Sequence, residues 1–238
     1  MSWSALSTGR WLRHGSDGLR VCGVDDAGRG PVIGPLVIAG VLIDDSKLDA
    51  LKSLGVKDSK KLVASERERL AIEISKLVDS QHVLELEPSS IDRIVHRAPK
   101  FQRLNLLEAK TMAAVIEKLR PDVAYVDASD VDCERYKNCI LDELSYRPKI
   151  ISEHNADVNY PVVSAASILA KVRRDACVQE IRKEFGDFGS GYGHDPKTRK
   201  FLEEYYRANR DFPPIVRRSW ATLRQIDQQV FQSRLVAE

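Results

Sequence analysis

The sequence predicts an α/β fold, a mixed β-sheet flanked by helices, with a small helical portion at the C-terminus. Three observations point there. Two apolar, β-branched runs joined by a glycine-rich turn open the ordered part of the chain in the manner of a hairpin. Further on, a segment with helical spacing runs into a short strand that ends in aspartate, the alternation from which α/β sheets are built. A long helix-like stretch after residue 160 then gives way to a tail alternating glycine, aromatic and basic residues.

Taken in order, residues 1–19 hold Trp3 and Trp11 but no continuous apolar run of signal-peptide or membrane-span character, and read as a flexible arm. Val21 to Val24 favour a strand, and PLVIAGVLI, residues 35–43, favours a second that stops at Asp44, Asp45 and Ser46. LKSLGVKDSKKL reads as a lysine-bearing loop, followed by a helix in ASERERLAIEISKLVDS with Ser65 as its N-cap. Residues 82–88 return to strand, and residues 104–119 have the apolar spacing of a packed helix that Pro121 ends. VAYVD and KIISEHNAD are strands ending at or near acids. Pro161 opens a long helix that Gly186 closes, and the rest reads as a loop and a last helix. Residues 20–185 are thus expected to form one α/β unit, and residues 186–238 a smaller helical part packed on it.

Composition excludes little. With 238 residues, 43% hydrophobic, the chain can bury an ordinary core, and a net charge of +2 leaves any nucleic-acid affinity to local patches. The four cysteines form no CxxC pair and read as reduced thiols of a cytoplasmic protein. No repeat or low-complexity block interrupts the chain.

The chemistry concentrates in VCGVDDAGRGPVIGPLVIAG, residues 21–40, where Asp25 and Asp26 end a strand and Gly28, Arg29 and Gly30 follow. Glycine lets a backbone approach a ligand closely, and arginine supplies a fork that matches phosphate. GRGPVIG loosely imitates a dinucleotide fingerprint, but Pro31 and a strand follow where that motif needs a helix N-terminus. Asp127 and Asp157 lie at further strand or loop ends, so four carboxylates can converge on one crevice and hold hard divalent cations. Each acid has an ordinary alternative: Asp25 and Asp26 as solvated or capping residues, Asp127 as a turn residue beside Ser129, Asp130 and Asp132, Asp157 as a cap. His154 is read as a hydrogen-bonded structural residue and Asp175 as a helix-surface ion-pair partner. Lys57, Lys60 and Lys61 suit phosphate contact or a solvated loop, and Tyr192 suits stacking on a sugar or base or a loop anchor. Lys197, Arg199, Arg217 and Arg218 add positive charge nearby in sequence.

GVDDAGRGPVIGPLVIAG, VKDSKKL, YVDASDVDCERY, HNAD before YPVVSAASILAKV, and GSGYGHDP occur in an order that resembles ribonuclease HII, in particular its archaeal form, over residues 20 to about 222. The resemblance implies a ribonuclease H-like core and an endonuclease that cuts RNA in RNA/DNA hybrids and at single ribonucleotides in duplex DNA, leaving 5′-phosphate and 3′-hydroxyl ends. It implies Mg²⁺ or Mn²⁺, two ions during catalysis, held by Asp25, Asp26, Asp127 and Asp157, with Asp25 bridging, Asp26 and Asp127 toward the leaving oxygen and Asp157 toward the attacking water. Gly28, Arg29 and Gly30 would read the ribose 2′-hydroxyl, and Tyr192 would sense the RNA-to-DNA junction. One departure stands out: the family's second acid is ordinarily glutamate, whereas this chain has Asp26, shorter by one carbon bond of ~1.5 Å. The alternatives are a hybrid-binding protein with impaired catalysis and another ribonuclease H-like nuclease acting on DNA. A monomer without membrane association is expected. QIDQQVF, residues 225–231, is a poor match to the sliding-clamp-binding peptide of some relatives, which makes a clamp the weakest of the expected partners.

Overall fold

The structure, a computed structural model, describes residues 18–56, 62–95 and 103–235. Most of the expected N-terminal arm, together with Lys57, Lys60 and Lys61, lies outside the described residues. No described helix is long and apolar enough to cross a membrane.

Five strands form one mixed sheet: β1 (Arg20–Ala27), β2 (Leu36–Asp44), β3 (Ser80–Leu86), β4 (Val123–Asp127) and β5 (Lys149–Glu153), in the order β3-β2-β1-β4-β5. As the glycine turn predicts, β1 and β2 pair antiparallel, with Asp25 opposite Ala39 and Asp26 opposite Ile38. β4 runs parallel to β1, with Val24 in register with Val126, and β5 runs parallel to β4, with Asp127 in register with Glu153. The carboxyl ends of β1, β4 and β5 therefore share one edge of the sheet.

The helices are α1 (Leu48–Ser53), α2 (Ala64–Leu77), α3 (Pro88–Val95), α4 (Arg103–Leu119), α5 (Cys133–Asp142), α6 (Ala156–Asn159), α7 (Pro161–Phe185), α8 (Pro196–Asn209) and α9 (Ala221–Leu235). Successive residues of a strand face opposite sides of a sheet. Val21, Val37, Ala39 and Tyr125 accordingly pack with α1, α2 and α7, whereas Cys22, Val24, Ile38 and Val126 pack with α4 and α5. Every residue of β2 before Asp44 is buried, as a central strand covered on both faces requires. Gly23 allows α7 its close approach to β1, because a Cβ there would stand 2.3 Å from the Val162 carbonyl carbon. A third cluster joins Val32 and Ile33, between β1 and β2, and Val178 of α7 to Phe188, Leu202, Val216, Leu223, Ile226 and Val230.

Four local expectations change. Ser65 is not the cap of α2: the N-cap is Val63, with no side-chain hydrogen bond, and Ser65 lies within the first turn. The segment read as a loop after Ser46 contains α1, held by the buried Leu51. A helix, α5, follows the acids around Asp130, with the Asp132 side chain accepting from the Arg135 amide at 3.0 Å. The tail expected to hold one helix holds two, since Asp195 caps α8 and Pro196 starts it.

Candidate active site

Asp25 and Asp26 are neighbours on β1, and the pleat sends them to opposite faces. Asp25 is buried on the α7 side, where its carboxylate accepts from the Asp26 amide at 2.7 Å and hydrogen-bonds the buried Ser167. Asp26 is on the α4 side and accepts from the Ser129 hydroxyl at 3.3 Å. Asp127, which ends β4, accepts from the Ala156 amide at 2.8 Å and so ties that strand to α6, the short helix that carries the buried Asp157. The left-handed Asn155, φ 57°, makes the turn from β5 into α6.

Burial raises the Asp25 carboxyl well above the usual carboxylate range, and the charges of Asp26 and Asp127 push it further. The Asp26 carboxyl is also raised: burial and Asp127 outweigh the opposing Arg29 and Lys171. Carboxylates that destabilise one another's charge in a low-dielectric crevice favour a cation among them. All the donors are hard oxygens, which suits Mg²⁺ or Mn²⁺ rather than a softer ion. Among the described residues, however, no three acid, histidine or cysteine side chains are drawn together around a single point. The opposed directions of Asp25 and Asp26 and the engagement of Asp127 with α6 account for that. In chemistry and charge the donor set fits a divalent cation.

The turn after β1 is fastened on two sides. Gly28 has φ +90°, and a Cβ there would stand 2.7 Å from the Pro35 carbonyl. The Arg29 guanidinium turns toward α4, where Nη1 meets Glu108 Oε2 at 2.5 Å and the Ser129 carbonyl at 3.2 Å, and Nη2 meets Asn105 Oδ1 at 2.6 Å. Arg29 is thus committed to protein partners rather than held out as a free phosphate fork. Tyr192 lies against the same turn, its ring 3.1 Å from where a Cβ on Gly30 would be. Its neighbour Gly191 accepts from the amides of Val32 and Ile33 at 2.8 and 3.2 Å.

The ribonuclease HII family model matches residues 22–223. The chain belongs to the ribonuclease HII family. Ribonuclease HII of Thermococcus sibiricus is 49% identical over 214 residues, 89% of this chain and 93% of the relative. The crystal structure of ribonuclease H2 from Pyrococcus horikoshii superposes with a TM-score of 0.82 at 45% identity, covering 89% of this chain and 98% of that one. Ribonuclease HII of Archaeoglobus fulgidus, solved in a complex with PCNA, gives 0.77 at 42% identity over 85% of this chain and 95% of that one. Family membership makes the protein a hydrolase of the ribonuclease H type.

Several residues beside the candidate site were not singled out from the sequence. Lys171 donates to Ser167 at 2.9 Å and lowers the proton affinity of Asp26 from one turn along α7. The signal was there: Ser167 and Lys171 are four apart on one face of α7, and Ser167 interrupts its buried, mostly apolar first half. Glu108 is buried, its carboxyl pushed up to about 8, first by desolvation and then by the charge of Asp26. Arg174 packs under Gly28, its Nε and Nη2 buried without a protein acceptor. His154 is exposed and contacts the Ala128 carbonyl at 3.3 Å, and Asp175 pairs with Arg67 at 3.0 Å, both in the ordinary roles expected. The basic residues of the tail are not a free patch. Lys197 pairs with Asp187 at 2.5 Å and Arg218 with Asp211 at 2.8 Å, Arg199 reaches the Gly193 carbonyl at 3.3 Å, and Arg217 is fully buried.

Proposed function

We propose that this chain hydrolyses the RNA strand of RNA/DNA hybrids and cuts duplex DNA at single ribonucleotides, leaving 5′-phosphate and 3′-hydroxyl ends. The observation that carries the reading is the juxtaposition of two unlike devices: buried, mutually repelling carboxylates at the ends of parallel strands, and a glycine turn backed by Tyr192. The first suits phosphodiester hydrolysis, and the second suits recognition of a sugar.

Asp25, Asp26, Asp127 and Asp157 would hold the divalent ions, Mg²⁺ or Mn²⁺. When bound, such ions supply activation of water and neutralisation of the leaving oxygen. Water adds across the P–O3′ bond, its oxygen remaining on phosphorus and a proton ending on the 3′-oxygen. Gly28 and Gly30 would contact the ribose through the backbone, with Arg29 fixing the turn through Glu108 and Asn105. A 2′-hydroxyl both donates and accepts, which is how RNA is told from DNA at one position. Tyr192 would stack at the junction, while Arg174, Lys60 and Lys61 supply charge for the nucleic-acid backbone. Residues 20–185 would carry the chemistry, and residues 186–238 would steady the substrate.

Sliding-clamp association is the weaker reading of partners. PCNA is the partner in the Archaeoglobus fulgidus complex. In this chain Ile226 and Val230 of the 225–231 segment are buried within α9.

The test is cleavage of a labelled DNA duplex with one ribonucleotide, beside an all-DNA duplex and an RNA/DNA hybrid, in Mg²⁺, Mn²⁺ and EDTA. Metal-dependent cutting confined to the ribose-containing substrates is the expected result. Cutting of the all-DNA duplex would move the chain to the DNA-directed alternative, and binding without cutting would make it an impaired hybrid binder.

A further inference from the structure

The buried Arg217 has a set of partners that neither catalysis nor surface charge explains. Its guanidinium donates to three carbonyls: Gly28 at 2.6 Å, Arg29 at 2.8 Å and Gly34 at 3.0 Å. Trp220 Nε1 adds a fourth bond, to the Gly30 carbonyl at 3.1 Å, and the Arg217 guanidinium lies 4.9 Å from the Trp220 ring centre. All three carbonyls of the Gly28–Gly30 turn are therefore drawn toward one segment, residues 217–220. The segment is itself pinned, because Asp92 of α3 accepts from the amides of Arg218 at 2.7 Å and Ser219 at 2.9 Å and from the Ser219 hydroxyl at 2.6 Å. Strand-like contacts extend the grip, with the Arg217 amide on the Val32 carbonyl and the Gly34 amide on the Ile215 carbonyl, each at 2.9 Å.

Fixing a carbonyl fixes the N–H of the following residue in the same peptide plane, so Arg217 orients the Arg29 and Gly30 amides, while Trp220 holds the plane that leads into Pro31, which has no N–H, and so fixes the exit of the turn. The backbone amides of Gly28, Arg29 and Gly30 donate to no acceptor among the described residues. Backbone N–H groups left open in a glycine turn form a concave donor surface suited to an anion or a sugar oxygen. A free glycine turn would sample many orientations, so an immobilised one meets its ligand with less entropy to lose.

We propose that Arg217 and Trp220 are positioning residues for ribose recognition, and that the C-terminal segment, by holding the carbonyls of residues 28–30, fixes the turn and aims the Arg29 and Gly30 amides at the substrate. The inference rests on the proposed reading of the glycine turn as the ribose contact.

Two variants test it. Trp220→Phe keeps the ring beside Arg217 and removes one donor, while Arg217→Lys keeps the charge and cannot reach all three carbonyls. Each is compared with the wild type for binding, in EDTA, to a duplex with one ribonucleotide and to the same duplex in all-DNA form. Circular dichroism and Tm establish that the variants are folded. The expected result is a loss of the ribose preference with all-DNA binding unchanged, by about tenfold or more for Arg217→Lys, the scale of losing bonds to a charged donor, and by about two- to tenfold for Trp220→Phe, which loses one neutral bond. In Mn²⁺ the same variants should raise KM for the ribonucleotide substrate more than they lower kcat. Folded variants with an intact ribose preference would overturn the proposal, and Trp220→Phe alone decides between the two outcomes if Arg217→Lys does not fold. A wild type without ribose preference would instead overturn the underlying reading, and this inference with it, a failure visible before any variant is made.

Discussion

Asp127 is the residue whose chemistry is most separable from its structural duty. Its Oδ1 holds the Ala156 amide, and asparagine retains an oxygen for that bond while removing the charge. Asp127→Asn should therefore keep its circular dichroism spectrum and lose cleavage by more than the ~10–100-fold that follows removal of an outer partner of a metal ligand. Near-normal turnover would take Asp127 out of the site. Asp26 is the opposite case, a short arm where a longer one is usual. Asp26→Glu should raise the Mg²⁺ rate relative to the Mn²⁺ rate, by about tenfold if reach limits the stricter octahedral ion; a constant ratio would show that the backbone already compensates. At this scale the positions of Asp26 and Asp127 at strand ends were legible, because a carboxylate closing an apolar strand is an anomaly that local sequence displays, whereas Asp157 lies in the short helix α6 beyond its strand. Glu108 and Arg217 were not. One looks like any helix acid and the other like part of a basic tail, and only burial beside residues 79 and 188 positions away distinguishes them.

Among the elements, α8 shows how a cap decides a structure that propensity leaves open. Asp195 accepts from the amides of Ser190 at 2.6 Å and Lys197 at 2.9 Å, so one carboxylate closes the Gly189–Gly191 turn and starts the helix. The bonds from Ser190 are the main cause that holds its carboxyl well below the usual range. Such a group stabilises the fold above its unfolded pKa, about 3.9, and the contribution is lost as pH falls through the lower, folded value. Asp195→Ala should lower Tm by about 2–4 °C at neutral pH, and the gap from wild type should narrow as the pH is taken below 4. A gap independent of pH would assign the effect to packing. The sequence Asp-Pro before a run of charged helix formers carried this signal, but the surrounding glycines outweighed it. Helix α2 errs the other way, for Ser65 has the chemistry of a cap and a position two residues too deep. All five strands were legible in existence, because β-branched runs bounded by turn residues leave few alternatives, but not in their ends: β3 is Ser80–Leu86 rather than 82–88, since Pro88 opens α3, and β5 stops at Glu153 before the turn into α6.

The molecule as a whole is joined where the expected boundary at residue 186 would divide it. Val32, Ile33 and Val178 lie before that boundary, yet they share one apolar cluster with Phe188, Leu202, Val216, Leu223 and Ile226. Separating the parts would expose that cluster, so the two should unfold in a single transition. The check is to follow thermal unfolding by circular dichroism and by Trp220 fluorescence in a Trp3→Phe, Trp11→Phe background. Coincident midpoints are expected; an earlier fluorescence transition would mean that the C-terminal part melts on its own.

The reach of Arg217 also dictates an order of events. Its partners in the glycine turn lie 183 to 189 residues earlier in the chain. During synthesis at roughly 5–20 residues per second, the turn waits on the order of ten seconds or more for its anchor. Contacts of such separation are slow to form even in an intact refolding chain. The strands that carry the acids can pair in the meantime, so recovery of ribose-selective binding should trail recovery of secondary structure. On the proposed reading, selectivity would be the last property this chain acquires as it folds.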